Sequence, residues 1–427
     1  MDSPLFLETL GNIETVDYMH SHKERAPSFF LKRAEWLMHT VPGLNKFLSS
    51  TRIIHITGTS GKGTVGAILQ NILSNAGFRA GFYNSPHTIE VYERMRFMKK
   101  NESGNPSLET ISPKIFSELT QKLKLYLEDE ILNSPFGLSS YFEILLVLAF
   151  MYFQKERARW IVLEVGCGGR YDATNIIPAS NLSIITTIGK EHLHLIGPTL
   201  KDVAREKAGI IKKNGQVLIG SAINGAIGHI IKMEAQKKHA KLFQVPRAQT
   251  SQDENENIAR YAAELLLMPE NAIKNGIKNY TPLPGRFSTI GDQPLIIADG
   301  AHNPDKIAYL IKKLEDLYIS RFKKRTLIFA AGENKNWKQM LKPLFPFFDK
   351  IYLTRHTVLQ RRSADLKKLY NFSRLRHKDI QIFIDPNDAL REARAQSGKN
   401  DFILATGSLF LAGSVMKEYQ TYFNGGK

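Results

Sequence analysis

The sequence predicts an α/β protein of two domains, each built on a mainly parallel β-sheet. Short β-branched runs alternate with longer helical patterns along the chain, which is typical of parallel strands connected by helices. A break rich in proline and glycine at residues 280–286 is followed by a fresh series of strands. With 427 residues, of which 43% are hydrophobic and 23% charged, the chain is long enough for two separate cores.

The first predicted domain, residues 1–284, begins with a mostly helical lead-in over residues 1–50. Apolar residues then recur at helical spacing from Val65 to Ala76, and Gly77 stands where a helix C-cap is expected. The polar stretch 99–113 is predicted to be an exposed loop. The predicted buried strands of this domain cover residues 52–57, 79–83, 160–164, 182–188 and 216–219.

The second predicted domain, residues 285–427, is smaller and Rossmann-like, with helical patterns between its strands. Its predicted strands cover residues 295–298, 326–330, 350–353, 380–384 and 402–405.

Net charge and hydropathy indicate which kinds of partner the protein is expected to bind. The formal charge of +17 is compatible with binding nucleic acid, but the basic groups at 212–213 and 323–325 are short and lack interleaved aromatic residues. A solvated basic surface suited to small anionic substrates is the favoured interpretation, and no nucleic-acid partner is expected. The apolar run 144–153 is about half of a membrane span, the opening segment is acidic, and the single cysteine cannot form an internal disulfide. We therefore expect a cytoplasmic protein with no membrane partner.

A glycine-rich turn between the first predicted strand and the helix that follows is the most specific indication of a functional site. Glycines let backbone N–H groups turn toward phosphate, the helix N-terminus adds partial positive charge, and Lys62 can reach the terminal phosphates. The turn is shorter than the usual phosphate loop and has an extra glycine after the lysine, so it is a variant P-loop that predicts Mg-ATP binding. Its residues are Gly58, Thr59, Ser60, Gly61, Lys62, Gly63 and Thr64.

Polar side chains follow three other predicted strands and are expected at the same edge of the sheet. Glu164 ends one strand, where an acid can bind Mg²⁺ beside phosphates or pair with Arg170. Ser85 and His192 follow two further strands, and His192 by itself is more typical of a hydrogen-bonded histidine than of a metal ligand.

These motifs resemble, in order and spacing, the folylpolyglutamate synthase and dihydrofolate synthase family of the Mur ligase superfamily. The resemblance covers nearly the whole chain. The matching segments are HITGTSGKGT (55–64), NSPH (84–87) with ERMRF after it, SYFE (140–143), LEVGCGGRYDATN (163–175), residues 188–197, EKAGIIK (206–212), LPGR (283–286), DGAHNP (299–304) and ATGSLFL (405–411).

The resemblance implies a role for individual residues. The glycine loop would bind ATP phosphates, together with Asn255, for which Asn257 is the alternative. Arg286 and Asp299 would contact the nucleotide, and His302 would lie near the incoming glutamate. The implied magnesium ligands are Ser85, Glu164 and His192, joined by Lys207 when it is carbamylated, and a monovalent cation is a further implied cofactor. Ser140, Tyr141 and Phe142 match the segment that lines the pterin pocket.

The implied reaction is ATP-dependent addition of L-glutamate to dihydropteroate, to reduced folates or to both, through an acyl phosphate, by a monomer. Two departures weaken the transfer of detailed contacts: Ser251-Gln252 replaces the usual His-Gln, and Asn334-Lys335-Asn336 replaces an Asp-Lys-Asp. The alternatives are a Mur-type ligase acting on a cell-wall precursor, a kinase or nucleotide switch that makes no amide, and a nucleic-acid-binding ATPase.

Overall fold

The chain folds into two units, which we describe separately. The first comprises Met1–His87 and Val91–Thr281, and the second comprises Thr88–Glu90 and Pro282–Lys427. No helix within the described residues is long and apolar enough to cross a bilayer. The computed structural model describes residues 27–101, 103–137, 139–190, 193–247, 251–317, 319–356 and 362–423.

The first unit contains an eight-stranded sheet in the order β4-β3-β2-β5-β1-β6-β7-β8. Strands β2, β5, β6, β7 and β8 run parallel with β1, whereas β3 pairs antiparallel with both of its neighbours, β2 and β4. The strands are β1 (Arg52–Thr57), β2 (Ala80–Tyr83), β3 (Met95–Lys100), β4 (Pro106–Thr110), β5 (Trp160–Glu164), β6 (Leu182–Ile185), β7 (Gln216–Ile219) and β8 (Lys241–Gln244).

Helices cover both faces of this sheet, as its buried parallel strands require. Every residue of β2, β5 and β6 is buried. The helices are α1 (Pro27–Thr40), α2 (Leu44–Ser50), α3 (Lys62–Asn75), α4 (Pro113–Asn133), α5 (Tyr141–Lys155), α6 (Leu193–Ile196), α7 (Leu200–Ala208), α8 (Gly225–Lys237), α9 (Ser251–Leu265) and α10 (Glu270–Lys278).

The second unit contains a six-stranded sheet in the order β13-β12-β11-β14-β10-β9, parallel except where β9 pairs with β10. Its strands are β9 (Ser288–Asp292), β10 (Leu295–Ala298), β11 (Arg325–Phe329), β12 (Lys350–Leu353), β13 (Ile380–Ile382) and β14 (Phe402–Thr406). Its helices are α11 (Pro304–Asp316), α12 (Trp337–Leu341), α13 (Leu366–Ser373), α14 (Pro386–Ala395) and α15 (Leu409–Glu418).

The fold class predicted from the sequence is confirmed, with one local correction. The stretch 99–113 is not a loop throughout, because it contains the end of β3, all of β4 and the start of α4. Residues Ser107 to Glu109 are only half-buried, so this edge strand has no apolar alternation to reveal it. Of the predicted helical lead-in, residues 27–50 form α1 and α2 and residues 1–26 lie outside the described part.

Candidate active site

The glycine loop connects β1 to α3 at the carboxyl edge of the first sheet. Gly61 has a φ of 86°, and a side-chain carbon there would lie 2.2 Å from Asn255 Oδ1, so only glycine fits. Lys62 begins α3, and its Nζ donates a hydrogen bond to the carbonyl oxygen of Gly58 at 2.8 Å. Of the two candidate asparagines, Asn255 is therefore the one at the loop.

Two threonines after β6 hold the glycine loop from its other side. Thr186 Oγ1 donates to the Ser60 carbonyl at 2.5 Å, and Ser60 N–H donates to Thr187 Oγ1 at 2.9 Å. Thr59 N–H donates to the Thr187 carbonyl at 3.0 Å. The loop backbone is thus held by hydrogen bonds to the residues that follow β6. Neither threonine was predicted from the sequence, because their only signal is that they follow the strand beside β1.

Glu164 and Ser85 lie at the same edge of the sheet. Glu164 ends β5 opposite Ile56 of β1, and it is 5% exposed. Ser85, just after β2, donates its N–H to Glu164 Oε2 at 3.4 Å. Arg170 forms an ion pair with Glu234 at 3.3 Å, so the structure disfavours the alternative pairing of Arg170 with Glu164.

The donors at this edge fit a magnesium ion that is bound largely through phosphate. Within the described residues, no three His, Cys, Asp or Glu side chains cluster to hold a metal by themselves. A serine hydroxyl and one carboxylate beside a phosphate loop are nevertheless the hard oxygen donors that Mg²⁺ uses with nucleotides. His192, the third predicted ligand, lies outside the described residues.

The segment SYFE provides a helix cap, Ser140, and two partly buried aromatic rings, Tyr141 and Phe142. Ser140 caps α5: its Oγ accepts from Glu143 N–H at 3.3 Å, and its N–H donates to Glu143 Oε2 at 2.6 Å. Arg94 lies over the ring of Tyr141, 5.6 Å from its centroid. Phe142 packs edge-on against Tyr83 at 5.9 Å. Tyr141 and Phe142 are therefore better placed than Ser140 to contact a planar ligand.

A buried hydrogen-bond chain supports the loop after Glu164. Asp172 accepts from Cys167 N–H at 2.9 Å and from the hydroxyl of Thr174 at 2.5 Å. Thr174 Oγ1 in turn accepts from His55 Nε2 at 2.9 Å. Burial raises the pKa of Asp172, and burial, followed by the charge of Lys212, lowers the pKa of His55 well below its usual value. The histidine is therefore neutral.

Lys207 is 1% exposed, near the end of α7. The helix packs closely on the glycine turn after Glu164: a side-chain carbon at Gly169 would lie 3.3 Å from Lys207 Cα. An isolated lysine in a helix is expected to be exposed. The buried position of Lys207 departs from that expectation.

In the second unit, three predicted residues cluster around the turn between β10 and α11. Asp299 accepts from the N–H groups of Phe287 and Ala301, each at 2.8 Å, and burial raises its pKa. A side-chain carbon at Gly300 would lie 3.1 Å from an Arg286 guanidinium nitrogen. Asp299 and Arg286 therefore both lie beside Gly300.

His302 is held as a neutral imidazole. Its Nδ1–H donates to the Gly300 carbonyl at 2.7 Å, which leaves Nε2 to accept from Lys306 Nζ at 3.2 Å. Burial first, and then the charge of Lys306, lowers the pKa of His302 well below its usual value. Lys306 was not predicted, because a lysine in the first turn of a helix is normally a surface residue.

Two protein families match the chain: the Mur ligase middle domain over residues 56–290 and the Mur ligase glutamate ligase domain over residues 285–409. The dihydrofolate synthase/folylpolyglutamate synthase of Buchnera aphidicola subsp. Baizongia pistaciae is 30% identical over 84% of this chain and 84% of its own. The chain belongs to the folylpolyglutamate synthase/dihydrofolate synthase family. It is an ATP-dependent glutamate ligase of the Mur ligase superfamily, and this favours the folate branch over the cell-wall alternative.

A second relative and a solved structure carry the same family names. The Bacillus subtilis dihydrofolate synthase/folylpolyglutamate synthase is 27% identical over 86% of this chain and 90% of its own. The Yersinia pestis bifunctional folylpolyglutamate synthase/dihydrofolate synthase, solved with AMPPNP and Mn ion, superposes with a TM-score of 0.77 over 98% of each chain. At 24% identity, that structure shows the shared fold.

Proposed function

We propose that this synthase activates the carboxylate of dihydropteroate or of a reduced folate with ATP and joins it to L-glutamate. The observation that supports the proposal is the glycine loop, which Thr186 and Thr187 hold by hydrogen bonds and Asn255 approaches at Gly61, beside the Ser85–Glu164 pair. A rigid phosphate site next to hard oxygen donors is what phosphoryl transfer requires, since that chemistry depends on positioning and charge neutralisation.

The chemistry proceeds in two steps. A carboxylate oxygen of the acceptor attacks the γ-phosphorus, the bond to the bridging oxygen breaks, and ADP leaves. Lys62 neutralises charge on the transferring phosphoryl group. Ser85 and Glu164 would hold Mg²⁺, which would supply further charge neutralisation at the phosphates. The amine of glutamate then attacks the acyl carbon, loses a proton, and expels phosphate to leave an amide.

The remaining predicted residues take roles within this proposal. Tyr141 and Phe142 stack against the pterin ring, with Ser140 fixing the start of their helix. Arg286 and Asp299 bind the nucleotide, and His302 lies beside glutamate. Lys207, when carbamylated, serves as a metal ligand together with His192. A monovalent cation is a further cofactor of the enzyme. The enzyme is a cytoplasmic monomer that acts on small molecules.

The test is phosphate release from Mg-ATP by the purified protein with glutamate and either dihydropteroate, tetrahydrofolate or no acceptor, with product masses measured in parallel. Glutamylation of both acceptors establishes a bifunctional enzyme, whereas tetrahydrofolate alone restricts it to tail extension. Phosphate release that needs no glutamate would contradict the ligase mechanism. Added DNA or RNA should leave the rate unchanged.

A further inference from the structure

Helix α9 presents two adjacent side chains to two different parts of the first unit. Asn255 approaches Gly61 so closely that any side-chain carbon on the glycine would overlap its Oδ1. Glu254, the residue before it, extends instead to the turn after β7. Successive side chains on a helix point about 100° apart, so fixing one of them fixes the direction of the other.

Glu254 is held at that turn by two hydrogen bonds to one residue. Ser221 N–H donates to Oε1 and Ser221 Oγ donates to Oε2, both at 2.7 Å. Gly220 permits the approach, because a side-chain carbon there would lie 2.9 Å from Glu254 Oε1 and 2.1 Å from the Thr186 carbonyl. A carboxylate that accepts two hydrogen bonds from one residue is held in both position and orientation.

These contacts join the turn after β7 to the glycine loop through two routes. One runs from Gly220 to Thr186, whose hydroxyl donates to the Ser60 carbonyl. The other runs from Ser221 through Glu254 to Asn255 and Gly61. Since the first route is independent of α9, removing Glu254 should release Asn255 while leaving the loop itself in place.

We propose that Glu254 is a positioning residue for nucleotide binding: its clamp on Ser221 orders the first turns of α9 and thereby holds Asn255 against the glycine loop. The inference rests on the proposed function, because it assumes that ATP binds at this loop. A side chain held in its bound position loses little conformational freedom on binding, so the clamp strengthens nucleotide affinity without touching the nucleotide.

The test compares Glu254→Ala, Asn255→Ala and the double variant by the KM for ATP and by calorimetric binding of ADP with Mg²⁺. We expect each single change to weaken nucleotide binding about tenfold and the double variant to be no weaker than Asn255→Ala, because the two residues act in series. The KM for glutamate should not change. Glu254→Gln keeps an acceptor for Ser221 N–H and should recover most of the affinity, while Glu264→Ala, on the exposed side of the same helix, is the matched control.

Each of the other possible outcomes would refute a specific part of the proposal. Additive losses in the double variant would show that Glu254 acts separately from Asn255 and would refute the inference. If Asn255→Ala weakened binding and Glu254→Ala did not, only the clamp would be wrong. If neither did, the nucleotide role proposed for Asn255 would fail as well. Should Glu254→Ala fold poorly, Ser221→Ala removes one clamp bond and is expected to weaken nucleotide binding by a smaller factor, and unchanged binding would count against the clamp.

Discussion

At the scale of single residues, Lys62 offers the most direct test of the glycine loop. Its ammonium contacts only the Gly58 carbonyl among the described residues, so the side chain is available for phosphate and contributes little to the core. We expect Lys62→Ala to lower kcat/KM for ATP by a hundredfold or more, about 3 kcal/mol of transition-state stabilisation, while the melting temperature stays nearly constant. Steady-state kinetics and calorimetry measure both. Lys201→Ala, an exposed lysine on α7, should change neither, and near-normal turnover in Lys62→Ala would refute the phosphate assignment.

Glu164 is tested by its effect on the metal requirement. Glu164→Gln preserves shape and the contact from Ser85 N–H but removes the negative charge that favours a divalent cation. We expect the Mg²⁺ concentration for half-maximal rate to rise about tenfold, whereas Glu118→Gln on the surface of α4 leaves it unchanged. A magnesium titration at saturating ATP measures this. Overlapping titration curves for Glu164→Gln and the unaltered enzyme would remove Glu164 from the metal site.

His55 makes the stability of the first unit depend on pH. Its pKa in the folded chain lies well below 6.5, because burial and Lys212 disfavour the imidazolium. The unfolded chain therefore binds more protons as pH falls below about 6.5, and the stability present above that pH is lost on acidification. Urea unfolding at pH 7, 6 and 5 should show a smaller loss for His55→Gln than for the unaltered chain, and no such change for His229→Gln on the exposed face of α8. Parallel losses in all three proteins would exclude His55 as a cause.

Which site residues the sequence could predict depends on how specific each local signal is. Gly58, Gly61 and Lys62 stand in a pattern that few other structures require, and Glu164 ends a strand whose other residues are apolar. Thr186 and Ser221 carry no such signal, since a threonine or serine after a strand is common in any α/β protein. Their roles follow from the strand order, which places β6 and β7 beside β1 and which no short segment of sequence specifies.

At the scale of elements, the contact between α3 and α10 fixes the helix that begins at the glycine loop. Asn71 Nδ2 donates to the Gly276 carbonyl at 2.9 Å, and a side-chain carbon at Gly276 would lie 2.6 Å from Ile72 Cα. We expect Gly276→Ala to destabilise the first unit by about 1–3 kcal/mol, because helix backbone must move apart to admit the methyl group. Asn275→Ala, on the exposed side of α10, improves helix propensity and should be neutral or slightly stabilising. Denaturant unfolding compares the two, and equal midpoints would show that the helices can separate without cost.

Some strands could be predicted from the sequence and others could not, depending on where they lie in the sheet. Strands β1, β5 and β7 occupy the bounds predicted from the sequence, because central parallel strands are apolar on both faces. The β3–β4 hairpin was missed in part because β4 lies at the sheet edge, where half-buried polar residues are tolerated. The predicted strand 182–188 ends at Ile185. Thr186 N–H still donates to the Thr57 carbonyl, but the hydroxyls of Thr186 and Thr187 then bond to the glycine loop.

At the scale of the whole molecule, the chain enters the second unit twice. Thr88–Glu90 belongs to that unit although its neighbours on both sides belong to the first. Thr88 Oγ1 donates to the Pro284 carbonyl at 2.8 Å, and a side-chain carbon at Gly413 would lie 1.9 Å from the Thr88 carbonyl oxygen. A domain boundary read along the sequence would assign this segment to the wrong unit, because three residues are too few to show a pattern of their own.

This double crossing predicts that two nearby substitutions act on different units. Ile89 packs against the second unit's cluster of Ala298, Ala412 and Met416, whereas Val91 packs against the core of the first unit. Truncating either partly buried side chain to alanine should cost about 1–2 kcal/mol. Hydrogen exchange measured by mass spectrometry should therefore show lost protection mainly in residues 282–423 for Ile89→Ala and mainly in the first unit for Val91→Ala. Each variant serves as the control for the other. If both lost protection evenly along the chain, the two units would have to unfold as one, and the segment 88–90 would be a cooperative link between them.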